Sequence, residues 1–236
     1  MNLDEIRSTL KPLSASDGLL WVDRKFGTQA RFSSSLGIED QVITHLMACQ
    51  KLSTQIFTLD TGRLFQETYN LLDVTRSRYG DIKTFFPNSE QVERLLSEKG
   101  PNSFYSSIEN RKECCYIRKV EPLKRALKGA SVWITGIRAG QSTNRENMEL
   151  VEWDDRHSVI KYNPLLHWTD QELSKFIEDN NIPINTLHKK GFPSIGCAPC
   201  TRAVVAGEDA RAGRWWWEAT SKECGLHETK DEVKLK

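Results

Sequence analysis

The chain has no run approaching the roughly 18 consecutive apolar residues that a membrane-crossing helix needs, so no membrane partner is expected. It also lacks a field of one sign. Against 33 basic residues stand 32 acidic ones, a formal charge of +1, which removes the broad basic surface on which nucleic-acid binding depends. Any anionic ligand must then be small and held by local charge. The opening Met1-Asn2-Leu3-Asp4-Glu5-Ile6-Arg7 has no basic segment followed by an apolar one, so nothing in it directs secretion and a cytoplasmic location is expected. Internal repeats and low-complexity segments are missing too. What remains, 236 residues with 38% hydrophobic content, suffices for one sizeable core. The expected organisation is one α/β domain over residues 1–200 and a C-terminal extension over residues 201–236.

Cysteine is scarce, six in all, yet four fall in two tight pairs: the adjacent Cys114-Cys115, and Cys197-Ala198-Pro199-Cys200 on a turn built from Gly196 and Pro199. A cytosolic chain keeps its thiols reduced, which argues against two disulfides. Core cysteines arrive singly, which argues against filler. Four thiolates can close a tetrahedral sulfur site around zinc or an iron–sulfur cluster. Zinc sites are normally made of two C-x-x-C knuckles, whereas adjacent cysteines hold their sulfurs awkwardly for one small ion and suit a larger cubane. One 4Fe-4S cluster per chain is therefore favoured over zinc.

Along the chain, residues 2–26 read as two short helices, and Thr28 to Ser33 as a strand. The small-residue loop Ser33-Ser34-Ser35-Leu36-Gly37 follows, then a helix from Ile38 to Gln50. Strand, Ser/Gly loop and helix N-terminus make an anion site, because free backbone N–H groups and the helix dipole point at the loop. Cys49 shares a stripe with Val42 and Leu46 and is expected in the core. A strand from Thr54 to Leu59 ends in Asp60-Thr61-Gly62-Arg63 and feeds a helix from Phe65 to Tyr79. Further strands are expected at Ile82 to Phe86 and Ser131 to Thr135, the latter ending in Gly136-Ile137-Arg138, with a helix from Gln91 to Glu98. Alternating strands and helices point to an α/β fold with a doubly wound, mostly parallel sheet, and polar residues at strand C-termini are where such sheets bind ligands. Arg118 and Lys119 follow Cys114 and Cys115 by one helical turn, with Pro122 forcing a kink or restart. Strand signals at Val151 and Val159 are weak, and Thr169-Asp170-Gln171-Glu172 reads as a capping box.

Taken together these stretches resemble the assimilatory adenylyl-sulfate reductases, in the PAPS reductase branch of the PP-loop adenine nucleotide α-hydrolase superfamily. The resemblance rests on Ser33-Ser34-Ser35-Leu36-Gly37-Ile38-Glu39-Asp40 as a modified PP-loop, Leu59-Asp60-Thr61-Gly62-Arg63, Cys114-Cys115, Gly136-Ile137-Arg138, Cys197-Ala198-Pro199-Cys200 and Glu223-Cys224-Gly225-Leu226-His227. It implies a Rossmann-like fold with a catalytic C-terminal tail. It implies substrate contacts from Ser33, Ser34, Ser35, Gly37, Asp60, Thr61, Gly62, Arg63, Gly136, Ile137 and Arg138. Lys119 resembles the family lysine that bridges cluster and substrate, and Arg211 and Arg214, three apart and on one face if helical, resemble its sulfate-binding pair. Cys224 matches the nucleophile that attacks adenosine 5'-phosphosulfate (APS), expels AMP and leaves an S-sulfocysteine for thioredoxin to reduce. Cys114, Cys115, Cys197 and Cys200 match the cluster ligands, whose role is electrostatic.

The usual PP-loop glycines are replaced by Ser34-Ser35-Leu36. Crowding the cradle for pyrophosphate puts ATP use in doubt and leaves room for a sulfate. Three rivals remain: a reductase of the 3'-phosphorylated nucleotide, an ATP-using adenylating enzyme, and a non-catalytic iron–sulfur protein. The Trp215-Trp216-Trp217 run has no assignable role, and a homo-oligomer is compatible with the chain.

Overall fold

The computed structural model describes residues 2–141, 145 and 148–218. Among these, strands β1 (Ala30–Ser33), β2 (Gln55–Leu59), β3 (Lys83–Phe85), β4 (Val132–Ile134), β5 (Val151–Asp154) and β6 (Val159–Tyr162) form one sheet in the order β3-β2-β1-β4-β6-β5. β1 runs parallel to both β2 and β4, and β4 parallel to β6. β5 closes the edge as an antiparallel hairpin partner of β6. The chain winds outward from β1 in one direction and resumes on its other side at β4. That reversal puts the loops after β1 and β4 beside each other, at the switch point where open α/β sheets bind ligands.

The described chain divides into two compact units. The first comprises residues 1–58, 66–84 and 127–189. It holds helices α1 (Leu3–Leu10), α2 (Ala15–Phe26), α3 (Ile38–Cys49), α4 (Gln66–Tyr79) and α8 (Asp170–Asp179), and its core is made by α1, α2, α3 and α8 packing apolar faces around Phe32, Ile134 and Tyr162 of the sheet. Each fully buried side chain of this size contributes about 1.5–3 kcal/mol. Helix ends are written locally: Asn2 with Glu5, and Thr169 with Glu172, form reciprocal capping boxes, devices that stabilise by about 1 kcal/mol each. Cys49 departs from expectation. It is exposed at the last residue of α3, its sulfur 3.4 Å from His45 Nε2, where the helix's apolar stripe has run past the core.

The second unit comprises residues 59–65, 85–126 and 190–236. It contains α5 (Ser89–Lys99), α6 (Ile108–Cys115), the π-helical turn Tyr116–Val120 and most of α7 (Glu121–Leu127). Pro122 cannot supply an N–H inside a helix, and the helix restarts at Glu121, so that Pro122 occupies its first turn, where no N–H is needed. From residue 191 to 218 the backbone is mostly turns and irregular structure, with a short 3-10 turn at Ala198–Cys200 and a bridge between Thr201 and Arg214. Arg211 and Arg214 are therefore not on a helix: Gly213 passes so close to the Arg202 carbonyl that a Cβ there would overlap it.

Candidate active site and thiol pocket

In the first unit the anion loop is tightly specified. Ser33 Oγ accepts from the indole of buried Trp133 at 2.7 Å, Ser34 Oγ accepts from the Leu36 amide at 3.2 Å, and Ser35 donates both its amide and its hydroxyl to Asp40, each at 2.6 Å. Three serines thus shape the loop with their hydroxyls. Leu36 is left-handed at φ 61, and Gly37 caps α3 at φ −69 without a side-chain bond, so no capping side chain takes up the first-turn amides of α3. Gly136 lies so close to Asp40 Oδ1 that any side chain would overlap it. Ile137 is buried. Arg138 is buried and committed: Nε donates to Glu39 at 2.9 Å, Nη2 to Asp170 at 2.5 Å and Nη1 to the Trp168 carbonyl at 3.0 Å. It ties the β4 loop to the starts of α3 and α8.

In the second unit the four paired cysteines converge. Cys114, Cys115, Cys197 and Cys200 line one small cavity with Arg63, Phe104, Arg111, Arg118, Lys119 and Pro199. None is in a disulfide. The C-terminal pair is presented by a turn in which the Cys200 amide donates to the Cys197 carbonyl at 2.9 Å and the Ala198 amide to the Arg63 carbonyl at 2.8 Å. The π-helical turn widens the helix by one residue, so that Arg118 and Lys119 both reach the cavity wall. Thr61 is buried and bonded to both Arg118 and Cys197: its carbonyl accepts from Arg118 Nη1 at 2.6 Å, and its hydroxyl is hydrogen-bonded to the Cys197 thiol at 3.3 Å. Gly62 needs its positive φ of 70, in a turn held by its amide donating to Asp60 Oδ1 at 2.8 Å. Arg63 stacks over Phe104 at 4.9 Å.

The thiols sit in a positive surround. Burial acts to raise Cys197, but the Lys119 charge, the Thr61 hydrogen bond and the Arg214 and Arg118 charges hold it below the ordinary thiol range. Burial, with Cys197 and Cys114 beside it, pushes Cys200 up to about 12 although Lys119 and Arg214 oppose it. Burial also raises Cys114. Coordination to a metal deprotonates such thiols outright. Among the described residues no three His, Cys, Asp or Glu side chains gather closely enough for a single ion. The wall of the thiol cavity holds one buried donor with no hydrogen-bond partner, Arg118 Nε, which anionic sulfur could accept from.

The three tryptophans part ways. Trp215 is buried, left-handed at φ 41, and sandwiched by Arg111 at 4.8 Å and Arg214 at 4.9 Å. Trp217 packs on Tyr105 with centroids 4.5 Å apart, and Trp216 is exposed. Arg214 is held by Ser194 and the Ile195 carbonyl, both at 3.3 Å, and Arg211 lies in the preceding turn. No sequence motif singles out Arg111, although it stands one helical turn before Cys114 and Cys115. It hydrogen-bonds Cys115 and forms a buried ion pair with Glu218 at 2.7 Å. Cys224 lies outside the described residues.

Residues 29–203 match the phosphoadenosine phosphosulfate reductase domain. An adenosine 5'-phosphosulfate reductase of Neisseria meningitidis serogroup B is 53% identical over 201 residues, covering 84% of this chain and 82% of that one. The Agrobacterium fabrum protein of the same name is 48% identical over 203 residues, covering 85% and 78%. Among solved structures, a phosphoadenylyl-sulfate (PAPS) reductase from Candida auris superposes with a TM-score of 0.73 at 26% identity, covering 86% of this chain and 96% of that one. A Candida glabrata FMN adenylyltransferase, at 18% identity and a TM-score of 0.56, shares the fold.

Proposed function

Because the chain belongs to the phosphoadenosine phosphosulfate reductase family, we propose that it reduces adenosine 5'-phosphosulfate to sulfite and AMP, with thioredoxin as reductant, in the assimilation of sulfate for cysteine biosynthesis. The observation that carries this reading is the convergence of Cys114, Cys115, Cys197 and Cys200 on one basic cavity in a chain about half identical to proteins bearing that activity. The enzyme is an oxidoreductase acting on sulfur. No described helix is long and apolar enough to cross a membrane, and described cysteines that stand outside any disulfide fit work in the reducing cytoplasm.

In this reading the Ser33–Gly37 loop and the α3 N-terminus bind the anionic end of the nucleotide, and the family resemblance assigns substrate contacts also to Asp60, Thr61, Gly62, Arg63, Gly136, Ile137 and Arg138. Arg138 acts there as a brace, since its guanidinium is already taken up by Glu39, Asp170 and Trp168. Residues 201–236 form the catalytic tail. The Cys224 thiolate attacks the sulfuryl sulfur, the S–O bond to phosphate breaks, and AMP leaves with the electron pair. A thiol of ordinary pKa about 8.5 needs nearby positive charge to ionise at neutral pH, which Arg211, Arg214 and Lys119 supply. Reduced thioredoxin then attacks the S-sulfocysteine: its two thiols provide two electrons, sulfite leaves, and the mixed disulfide resolves to free Cys224 and oxidised thioredoxin. Cys114, Cys115, Cys197 and Cys200 would hold one 4Fe-4S cluster, which when bound supplies a local charge to the site and carries no electrons in this scheme.

The test is sulfite release by anaerobically purified protein given APS and reduced thioredoxin, beside the same assay with the 3'-phosphorylated nucleotide. A preference for APS of about tenfold or more in kcat/KM is expected, because a site without a phosphate partner must strip water from a dianion. No sulfite from either nucleotide overturns the proposal, and preference for the 3'-phosphorylated form reassigns the substrate.

A further inference from the structure

We propose that Asp40 is the positioning residue of the anion loop: its buried carboxylate gathers the Ser35 amide and hydroxyl and wedges the loop after β1 against Gly136 of the loop after β4. The inference deepens the nucleotide-binding part of the proposed function and rests on it. Two donors, both 2.6 Å from Oδ2, come from the residue just before left-handed Leu36. A bulky residue in that region costs of order 1–3 kcal/mol and persists only where the surroundings impose it; the Asp40 bonds on one side and the Leu36 amide bond to Ser34 Oγ on the other impose it. The Gly37 amide adds a third bond. From the other side Gly136 leaves room for Oδ1 and for nothing larger. The adjacent carboxylate, Glu39, accepts from Arg138. Two successive acids thus fasten the two loops of the switch point to one helix end.

A carboxylate here is not placed for stability. Burial raises Asp40 to about 6, against the lowering effect of Ser35 and with Glu39 adding to the rise. The charged groups around it are Glu39 and, beyond it, Arg138 bound to Glu39. A raised folded-state value means that the group favours folding when protonated and loses that contribution as pH rises through about 6. Near neutrality the ionised Asp40 opposes folding. Groups retained at such a cost concentrate where geometry serves a ligand.

The test is calorimetric titration of the intact protein with AMP at pH 8, with melting temperatures measured alongside. Asp40→Ala removes the acceptor and should weaken AMP by about tenfold or more, the worth of hydrogen bonds to a charged group. Asp40→Asn keeps a carbonyl acceptor, so it should bind within about threefold of wild type while melting no lower, having lost only the buried charge. If Asp40→Ala does not fold, Gly136→Ala enters the same gap from the other side and should show the same loss. The proposal is overturned by an Ala variant that binds like wild type, by Asn and Ala variants equally weak, or by an Asn variant that melts several degrees lower. Wild-type protein that ignores AMP would overturn the nucleotide reading along with it, whereas normal binding by Asp40→Ala removes this inference alone.

Discussion

Replacing Glu218 by Gln should destabilise the protein by about 3 kcal/mol, the lower end of what removal of one partner from a buried ion pair costs. The number follows from the surroundings. Arg111 and Glu218 have side chains only 6% and 5% exposed, 2.7 Å apart, so little water is available to screen the charge left behind. The lower end applies because Arg111 keeps two other partners, the Trp215 ring at 4.8 Å and Cys115. A loss of about 3 kcal/mol is a drop of roughly 6–12 °C in melting temperature at 2–4 °C per kcal/mol for a chain of this size. Urea unfolding of wild type, Arg111→Met, Glu218→Gln and the double variant Arg111→Met/Glu218→Leu measures it. Each single variant should fall by several kcal/mol and the double variant should recover much of it, since an apolar pair of similar volume needs no desolvation of charge. A single variant that loses less than about 1 kcal/mol would show that the pair is effectively solvated, and the reasoning from burial would fail.

Metal analysis of anaerobically purified protein should find four irons per chain with a brown chromophore, whereas stoichiometric zinc in a colourless active protein would sink the cluster assignment. Cys224→Ser should make no sulfite yet bind AMP normally; after APS without reductant, mass spectrometry of wild type should show one sulfite-sized adduct on Cys224, and an adduct elsewhere contradicts the mechanism. Because Asp40 is raised to about 6, its contribution to stability is full below the unfolded value near 4 and lost as pH rises through about 6, so Asp40→Asn should gain in melting temperature relative to wild type between pH 5 and 8; an unchanged difference across that range refutes it.

Local signals carried far in the sequence. The Thr169 capping box, the β1 strand and the α3 helix stand where their patterns put them, because caps and periodicity act within a turn or two. Four-residue strands at Val151 and Val159 gave only weak signals, and their antiparallel pairing depends on partners elsewhere in the sheet. Pro122 announced an interruption, but whether a kink, a break or a π-helical turn follows is decided by packing. Arg111 reads as an ordinary solvated charge because its burial is created by Glu218, 107 positions away. The serines were legible as a loop, whereas the use of each hydroxyl was not: it depends on Trp133 and Asp40, side chains brought in by tertiary structure and the start of α3. Residues 219–236, with the whole Glu223-Cys224-Gly225-Leu226-His227 motif, carry their argument in sequence alone.

The unit that gathers the thiols is assembled from three separate stretches, residues 59–65, 85–126 and 190–236, and this has a bearing on biosynthesis. During translation Cys114 and Cys115 leave the ribosome 82 residues before Cys197, counting from 115 to 197. At about 5–20 residues per second they wait for at least several seconds with no partner thiols. Long-range closure of this kind is also slow, because loop entropy is lost before any contact repays it. The sulfur cavity therefore cannot close before Cys200 has been made. A metal that needs all four thiols has to arrive after that point, and a chain truncated before residue 190 keeps half the thiols without the cavity.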